Sequence, residues 1–216
     1  MRLIGMLDSP FVRRTAVCLE HLQVPFLHEP VSVFSNFEQF KSINPVVKAP
    51  TLVCDDGTVL MDSTLILQFA EATLARGRSL WSPDRGQLAH EYRAAGLAMV
   101  ACEKSAQLIY ERNLRPAAAR FAPWMERVTG QFLAAYSALE QELRAHPRIY
   151  ERDDRHAPIA AAIAWQFSHS MLAAELPAHS YPGLVLLSER MERTAQFSKY
   201  PPTGPGVPGL GANAGV

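Results

Sequence analysis

The chain has 216 residues, long enough for one large domain or two small ones that bury a core without disulfides or metals. Apolar residues make up 48% of it, which excludes wholesale disorder. Its 21 basic and 21 acidic residues leave no net charge, so a general nucleic-acid-binding role has no electrostatic basis. Divided after residue 80, the chain carries 7 basic and 8 acidic residues and then 14 and 13, so neither part hides a basic domain. The three cysteines, Cys18, Cys54 and Cys102, are widely spaced and odd in number, a pattern that supports neither a disulfide scaffold nor a zinc site.

The first elements alternate in kind. Residues 2–6 read as a buried strand. Ser9-Pro10 reads as a helix start, with Ser as N-cap and Pro in the first turn, and Ala16, Leu19 and Leu22 follow at helical spacing. Val24-Pro25 interrupts that helix, and Phe26 to Val33 reads as a second strand. Phe37, Phe40 and Ile43 predict a short amphipathic helix before Asn44-Pro45. Thr51 to Cys54 and Val59 to Met61 are two short strands joined by the turn signal Asp55-Asp56-Gly57. From Asp62 a helix carries Leu65, Ile66, Phe69 and Leu74 on one face. The predicted order is β-α-β-α-β-β-α.

After Trp81-Ser82-Pro83 the strand signals give way to Ala-rich, charge-studded helical stretches over roughly 85–114, 121–146, 158–175 and 182–196. The segment 75–83 reads as a linker. The final residues, 201–216, contain four Pro and five Gly, and are expected to be disordered or loosely attached. The longest apolar runs, Ala94 to Cys102 and Ala157 to Trp165, are nine residues long, whereas a spanning helix needs about 20. The N-terminus shows no secretory pattern, so the expectation is a soluble cytoplasmic protein without membrane contact.

Three features could carry chemistry: Ser9-Pro10-Phe11, Lys48-Ala49-Pro50-Thr51-Leu52, and Asp62-Ser63. Each alone has a plainer reading, as a helix cap, an ordinary trans bond entering a strand, and a second cap. Together, in this order on this unit, they resemble the glutathione S-transferase family over essentially residues 1–200. The run from Ser9 to Leu22 with Val24-Pro25-Phe26, then Asn44-Pro45 through Leu52 and Asp62-Ser63, carries the resemblance. The likeness is to cytosolic, bacterial-like members with serine at the thiol-activating position. It implies a thioredoxin-like α/β domain over 1–78 that binds glutathione, an all-α helical bundle over 84–200, and a homodimer.

The chemistry of the ligand explains the residue types. Glutathione must ionise its thiol to attack an electrophile, and lowering a thiol pKa of about 8.5 by two units takes roughly 2.7 kcal/mol. A helix N-terminus gives about 0.3–1 kcal/mol and a hydrogen bond to a charged group about 1.5–3 kcal/mol. A hydroxyl at a helix start offers both, so Ser9 is the candidate for thiolate stabilisation. The resemblance implies a cis Pro50 that turns the Ala49 backbone to the cysteinyl unit. It places Asp62 near the γ-glutamyl ammonium and Ser63 on its carboxylate. Phe11 and Lys48 flank these positions as weaker binding candidates. Ser32, Ser35 and Asn36 are all open for the glycyl carboxylate. The electrophile side is expected along the first long helix, in the stretch that holds Met99, Glu103, Leu108, Tyr110 and Arg112. The histidines are expected to be structural or solvent-facing, and no metal is expected.

One departure concerns folding. The family usually starts a central helix with a Ser/Thr cap and an Asp three residues later, where this chain has Arg155 and Pro158. Asp153 or Asp154 could cap a shifted start. Two readings stand beside a transferase: an adaptor without catalysis that binds a protein partner, and a glutathione-dependent isomerase, dehalogenase or peroxidase.

Overall fold

The structure, a computed structural model, describes residues 1–209. Four short strands, β1 (Arg2–Ile4), β2 (Leu27–Glu29), β3 (Thr51–Val53) and β4 (Val59–Met61), form one sheet in the order β2-β1-β3-β4. β1 runs parallel to β2 and antiparallel to β3, and β3 runs antiparallel to β4. Helices α1 (Pro10–His21), α2 (Phe37–Ile43) and α3 (Ser63–Thr73) complete the expected order in a thioredoxin-like arrangement.

Two strands are shorter than their apolar runs. β1 ends at Ile4 because the chain breaks from extended geometry at Gly5, whose φ is +140°. A Cβ there would lie 2.6 Å from Val12 Cγ2, so glycine permits the close approach of this turn to α1. β2 ends at Glu29 because Pro30 has no N–H for the ladder and the next donors bond locally: the Val31 N–H to the Glu29 carbonyl and the Ser32 N–H to Asn36 Oδ1.

The second part is helical: α4 (Arg85–Asn113), α5 (Ala122–Ala145), α6 (His156–Leu172), α7 (Pro182–Glu192) and α8 (Ala195–Lys199). α6 is the central helix, and every residue from Ala157 to Ala164 is fully buried or nearly so. Its small side chains let α4 and α7 approach closely, and the Tyr136 hydroxyl reaches across from α5 to lie 2.7 Å from the Ala164 carbonyl. Among the described residues no helix is long and apolar enough to cross a membrane.

The start of α6 shows how the chain manages without a Ser/Thr cap. Arg155, at the cap position, makes no side-chain capping bond. Its guanidinium instead donates to the Trp81 and Ser79 carbonyls of the linker, and the His156 N–H donates to the Leu80 carbonyl at 2.9 Å. Neither aspartate caps the helix, since Asp154 pairs with Arg152 and Asp153 with Arg190. The linker backbone takes over the role of the missing cap.

The start of the Gly/Pro-rich tail makes contacts that its composition does not announce. Residues 201–209 are described, and they fold back against the turn that precedes α1; residues 210–216 lie outside the described residues. The Asp8 N–H donates to the Thr203 carbonyl at 3.1 Å, and the Gly206 N–H donates to Asp8 Oδ2 at 2.7 Å. A Cβ at Gly204 would fall 2.1 Å from that carboxylate, so this stretch is close-fitted. Composition alone hides such an anchor, because the partner lies nearly two hundred residues upstream.

Candidate functional site

Strand direction assembles the site. β1 ends where β3 begins, because Ile4 pairs with Thr51, and β3 begins where β4 ends, because Thr51 pairs with Met61. The turn after β1 carries Ser9, the turn before β3 carries Ala49-Pro50, and the turn after β4 carries Asp62-Ser63. Three features far apart in sequence therefore meet at one end of the sheet, beside the N-termini of α1 and α3.

Ser9 is the N-cap of α1 in extended backbone geometry. Its Oγ accepts from the Val12 N–H at 3.5 Å, a long contact that leaves the hydroxyl proton free to donate. The Ala49–Pro50 peptide is cis. Among the described residues the Ala49 N–H and C=O are not taken up by another backbone group. Lys48 is exposed and contributes its carbonyl to the Thr51 hydroxyl. Phe11 is half-buried and packs against the main core, so its side chain supports α1.

Asp62 has a φ of +71°, a left-handed conformation that non-glycine residues seldom adopt and that clusters at functional sites. Its Oδ1 accepts from the Thr64 and Leu65 N–H groups at 2.9 and 3.2 Å. One carboxylate oxygen thus caps α3, and the other remains for a cation. Ser63 is 5% exposed, and its Oγ accepts from Arg14 Nη2 at 2.6 Å.

Arg14 was not among the candidates read from the sequence. It lies on α1, is 1% exposed, and also donates to Thr64 Oγ1 at 2.9 Å, with Nη1 3.0 Å from His156 Nε2. The only sequence signal was a second basic residue on a helix whose neighbours are apolar. A cavity of about 250 Å³ between α3 and α4 has Arg14, Thr64, Gln68, Tyr92, Met99 and His156 in its wall. It adjoins the Ser63 end of the site and lies away from Ser9.

His156 is 3% exposed, and burial pushes its pKa down to about 3, with the Arg14 charge adding to the effect. The folded protein holds it neutral, whereas the unfolded chain protonates it near pH 6.5. The unfolded state therefore binds more protons between these values, and stability rises with pH across that window and is lost as pH falls through it. His156 alone should remove about 1 kcal/mol of unfolding free energy between pH 6 and pH 5. Urea unfolding of wild type and His156→Phe at both pH values checks this: the pH dependence should be shallower in the variant, and parallel dependences would refute the assignment.

The remaining candidates divide clearly. Ser32, Ser35 and Asn36 bond to one another and to their own backbone, so all three serve the turn before α2. On α4, Leu108 is buried core, Glu103 pairs with Lys104, and Arg112 pairs with Glu175. Tyr110 is the member of that stretch on the Ser9 side. It meets Phe34 edge-on at 5.9 Å, and burial raises its hydroxyl pKa with a further contribution from Asp8. Burial pushes the Cys18 and Cys102 thiols up to about 12, so neither supplies a thiolate.

Two histidines expected to be scattered are brought together. His90 Nδ1 lies 2.6 Å from Glu142 Oε1, and His146 Nε2 lies 3.9 Å from the same oxygen. These three offer ligand atoms within 4.8 Å of one another. The two rings stack at 3.5 Å, and Arg93 Nε donates to Glu142 Oε2 at 2.9 Å. The cluster joins α4 to α5 and its C-terminal cap through Glu142, with Arg93 as its charged partner.

Comparison with known proteins bears on the fold. Residues 3–76 match a family model described as glutathione S-transferase, N-terminal domain. Over 74 residues the chain is 34% identical to the uncharacterized GST-like protein YibF of Escherichia coli, a stretch that covers 33% of this chain and 35% of that protein. The match thus spans about a third of the curated relative's length. The fold extends over nearly the whole chain. A glutathione S-transferase of Methylobacterium radiotolerans, solved in complex with glutathione sulfonate, superposes with a TM-score of 0.81 at 24% identity, covering 95% of this chain and 96% of that one. A glutathione transferase family member of Pseudomonas fluorescens, solved with bound glutathione, gives 0.80 at 22% identity, covering 94% and 99%.

Proposed function

We propose that the chain is a glutathione S-transferase family member that binds glutathione at this end of the sheet and activates its thiol for attack on a small electrophile. The observation that carries the reading is the convergence of Ser9, Ala49-Pro50 and Asp62-Ser63 through strand pairing. A family match over residues 3–76 and a fold shared with proteins solved with bound glutathione support it.

In this reading the Ser9 hydroxyl donates to the glutathione sulfur and holds it as thiolate, while the N-terminus of α1 adds a smaller favourable field. The Ala49 backbone pairs with the cysteinyl unit. The free Asp62 oxygen faces the γ-glutamyl ammonium, and the Ser63 O–H faces its carboxylate at the N-terminus of α3. The thiolate attacks the electrophilic carbon, a C–S bond forms, and the leaving group departs with the bonding electron pair. Tyr110 and Phe34 lie on the side from which the electrophile approaches. The protein acts in the cytoplasm, in detoxification, as a homodimer. Leu65, Tyr92 and Val100 on α3 and α4 are 60%, 53% and 41% exposed and supply apolar surface for a second copy.

An adaptor without catalysis has no use for polar groups aimed at a tripeptide. Isothermal titration with glutathione, followed by a conjugation assay with an aromatic halide, tests the reading. One-site binding with conjugation is expected; absence of binding at millimolar glutathione would favour the adaptor, and binding without conjugation would favour the other glutathione-dependent reactions.

A further inference from the structure

The buried cation on α1 has no carboxylate in ion-pair contact among the described residues. Arg14 is 1% exposed, and its partners are two hydroxyls and a histidine, Ser63, Thr64 and His156; its Nε has no partner among the described residues. A guanidinium keeps its proton, and an unpaired buried charge is strongly unfavourable. The neighbouring Cys18 and Cys102 thiols supply no countercharge, because burial holds them neutral. Asp62 acts on Arg14 only from a distance and already caps α3.

We infer that the missing anion arrives with the ligand: Arg14 is a positioning residue for the α-carboxylate of the γ-glutamyl group. The inference rests on the glutathione reading and adds to it a residue outside the sequence motif. A guanidinium only donates, so Ser63 Oγ must accept from it, and the single Ser63 proton is left to point away from Arg14. Asp62 has already taken the Thr64 and Leu65 N–H groups, so the mouth of α3 keeps few donors of its own. The Arg14 charge behind Ser63 compensates for them. Arg14 also lines the cavity whose wall includes Thr64, the residue after Ser63.

His156 fixes the guanidinium from the other half of the chain. Being neutral, it accepts from Arg14 Nη1 through Nε2, which places its own proton on Nδ1. Trp81 packs edge-on against its ring at 4.6 Å. Recognition of the γ-glutamyl end therefore depends on the first residue of α6, in the helical part of the chain.

The test compares glutathione with γ-aminobutyryl-cysteinylglycine, which keeps the ammonium and lacks the α-carboxylate, by isothermal titration. Wild type should bind glutathione about tenfold more tightly or better, the range of a hydrogen bond to a charged group. Arg14→Met should lose most of the preference, by weakening glutathione and leaving the analogue unchanged, with Ser63 keeping the remainder, and Arg14→Lys should recover part of it. A purely structural arginine would weaken both peptides together. The double variant Arg14→Met/His156→Phe, which leaves no stranded imidazole nitrogen, repeats the comparison should the single variant not fold. Preservation of the wild-type preference in the arginine variants overturns the inference, and so does equal affinity of wild type for the two peptides. If wild type binds neither peptide, the glutathione reading itself falls.

Discussion

Ser9→Ala should lower kcat/KM for conjugation by about 10- to 150-fold, the equivalent of one hydrogen bond to a charged group. Glutathione affinity should change only a few-fold, because Ala49, Asp62 and Ser63 remain. The capping role of Ser9 does not confound the experiment. Its contact with the Val12 N–H is 3.5 Å long, so the loss of stability should stay at or below about 1 kcal/mol. Ser9→Cys would exchange the hydroxyl for a thiol that can form a mixed disulfide, a different chemistry at the same place. Unchanged kcat/KM in Ser9→Ala would remove the hydroxyl from the mechanism.

The second large effect concerns stability. Arg13, next to Arg14 on α1, is 1% exposed and faces the end of the chain. Its Nη1 and Nη2 lie 2.6 and 2.7 Å from the two oxygens of Glu192, its Nε donates to the Tyr200 carbonyl at 2.8 Å, and its guanidinium lies over the Phe197 ring at 5.1 Å. Arg13→Ala strands the carbonyl and the carboxylate together. Breaking a buried pair costs about 3–5 kcal/mol, and the partial exposure of Glu192 places this one near 3. Against a total stability of about 5–15 kcal/mol, such a loss is visible in denaturant unfolding at once. Arg13→Lys keeps the charge without the planar fork and should fall between the two. A change below about 0.5 kcal/mol in Arg13→Ala would show that the pair does not hold the end of α7 to α1.

The two adjacent arginines mark the limit of reading this sequence. The alternation of short apolar runs with helical spacing, punctuated by Ser9-Pro10, Asn44-Pro45 and Asp55-Asp56-Gly57, determines the order of elements. The Ser9, Ala49-Pro50 and Asp62-Ser63 positions are visible because each sits at a strand or helix boundary with its own local signature. Arg13 and Arg14 have no such signature. Their partners lie 179 and 142 residues away, at Glu192 and His156, and only the packing of α1 against α6 and α8 brings them close. His90 and His146 stay hidden for the same reason, because the Glu142 between them becomes a shared partner only when α4 and α5 pack. Composition likewise hides the contacts of residues 201–209, where Gly204 lies close to the Asp8 carboxylate and the Gly206 N–H donates to it.

The central claim is that Ser9 holds the ligand's sulfur as a thiolate, and the ionisation of bound glutathione tests it most directly. Thiolate absorbance in the ultraviolet, followed against pH with saturating glutathione, gives the pKa of the bound thiol. A value about two units below the free thiol's is expected for wild type, and a return of one unit or more toward the free value in Ser9→Ala. A bound thiol that titrates like free glutathione in the wild-type protein would contradict it.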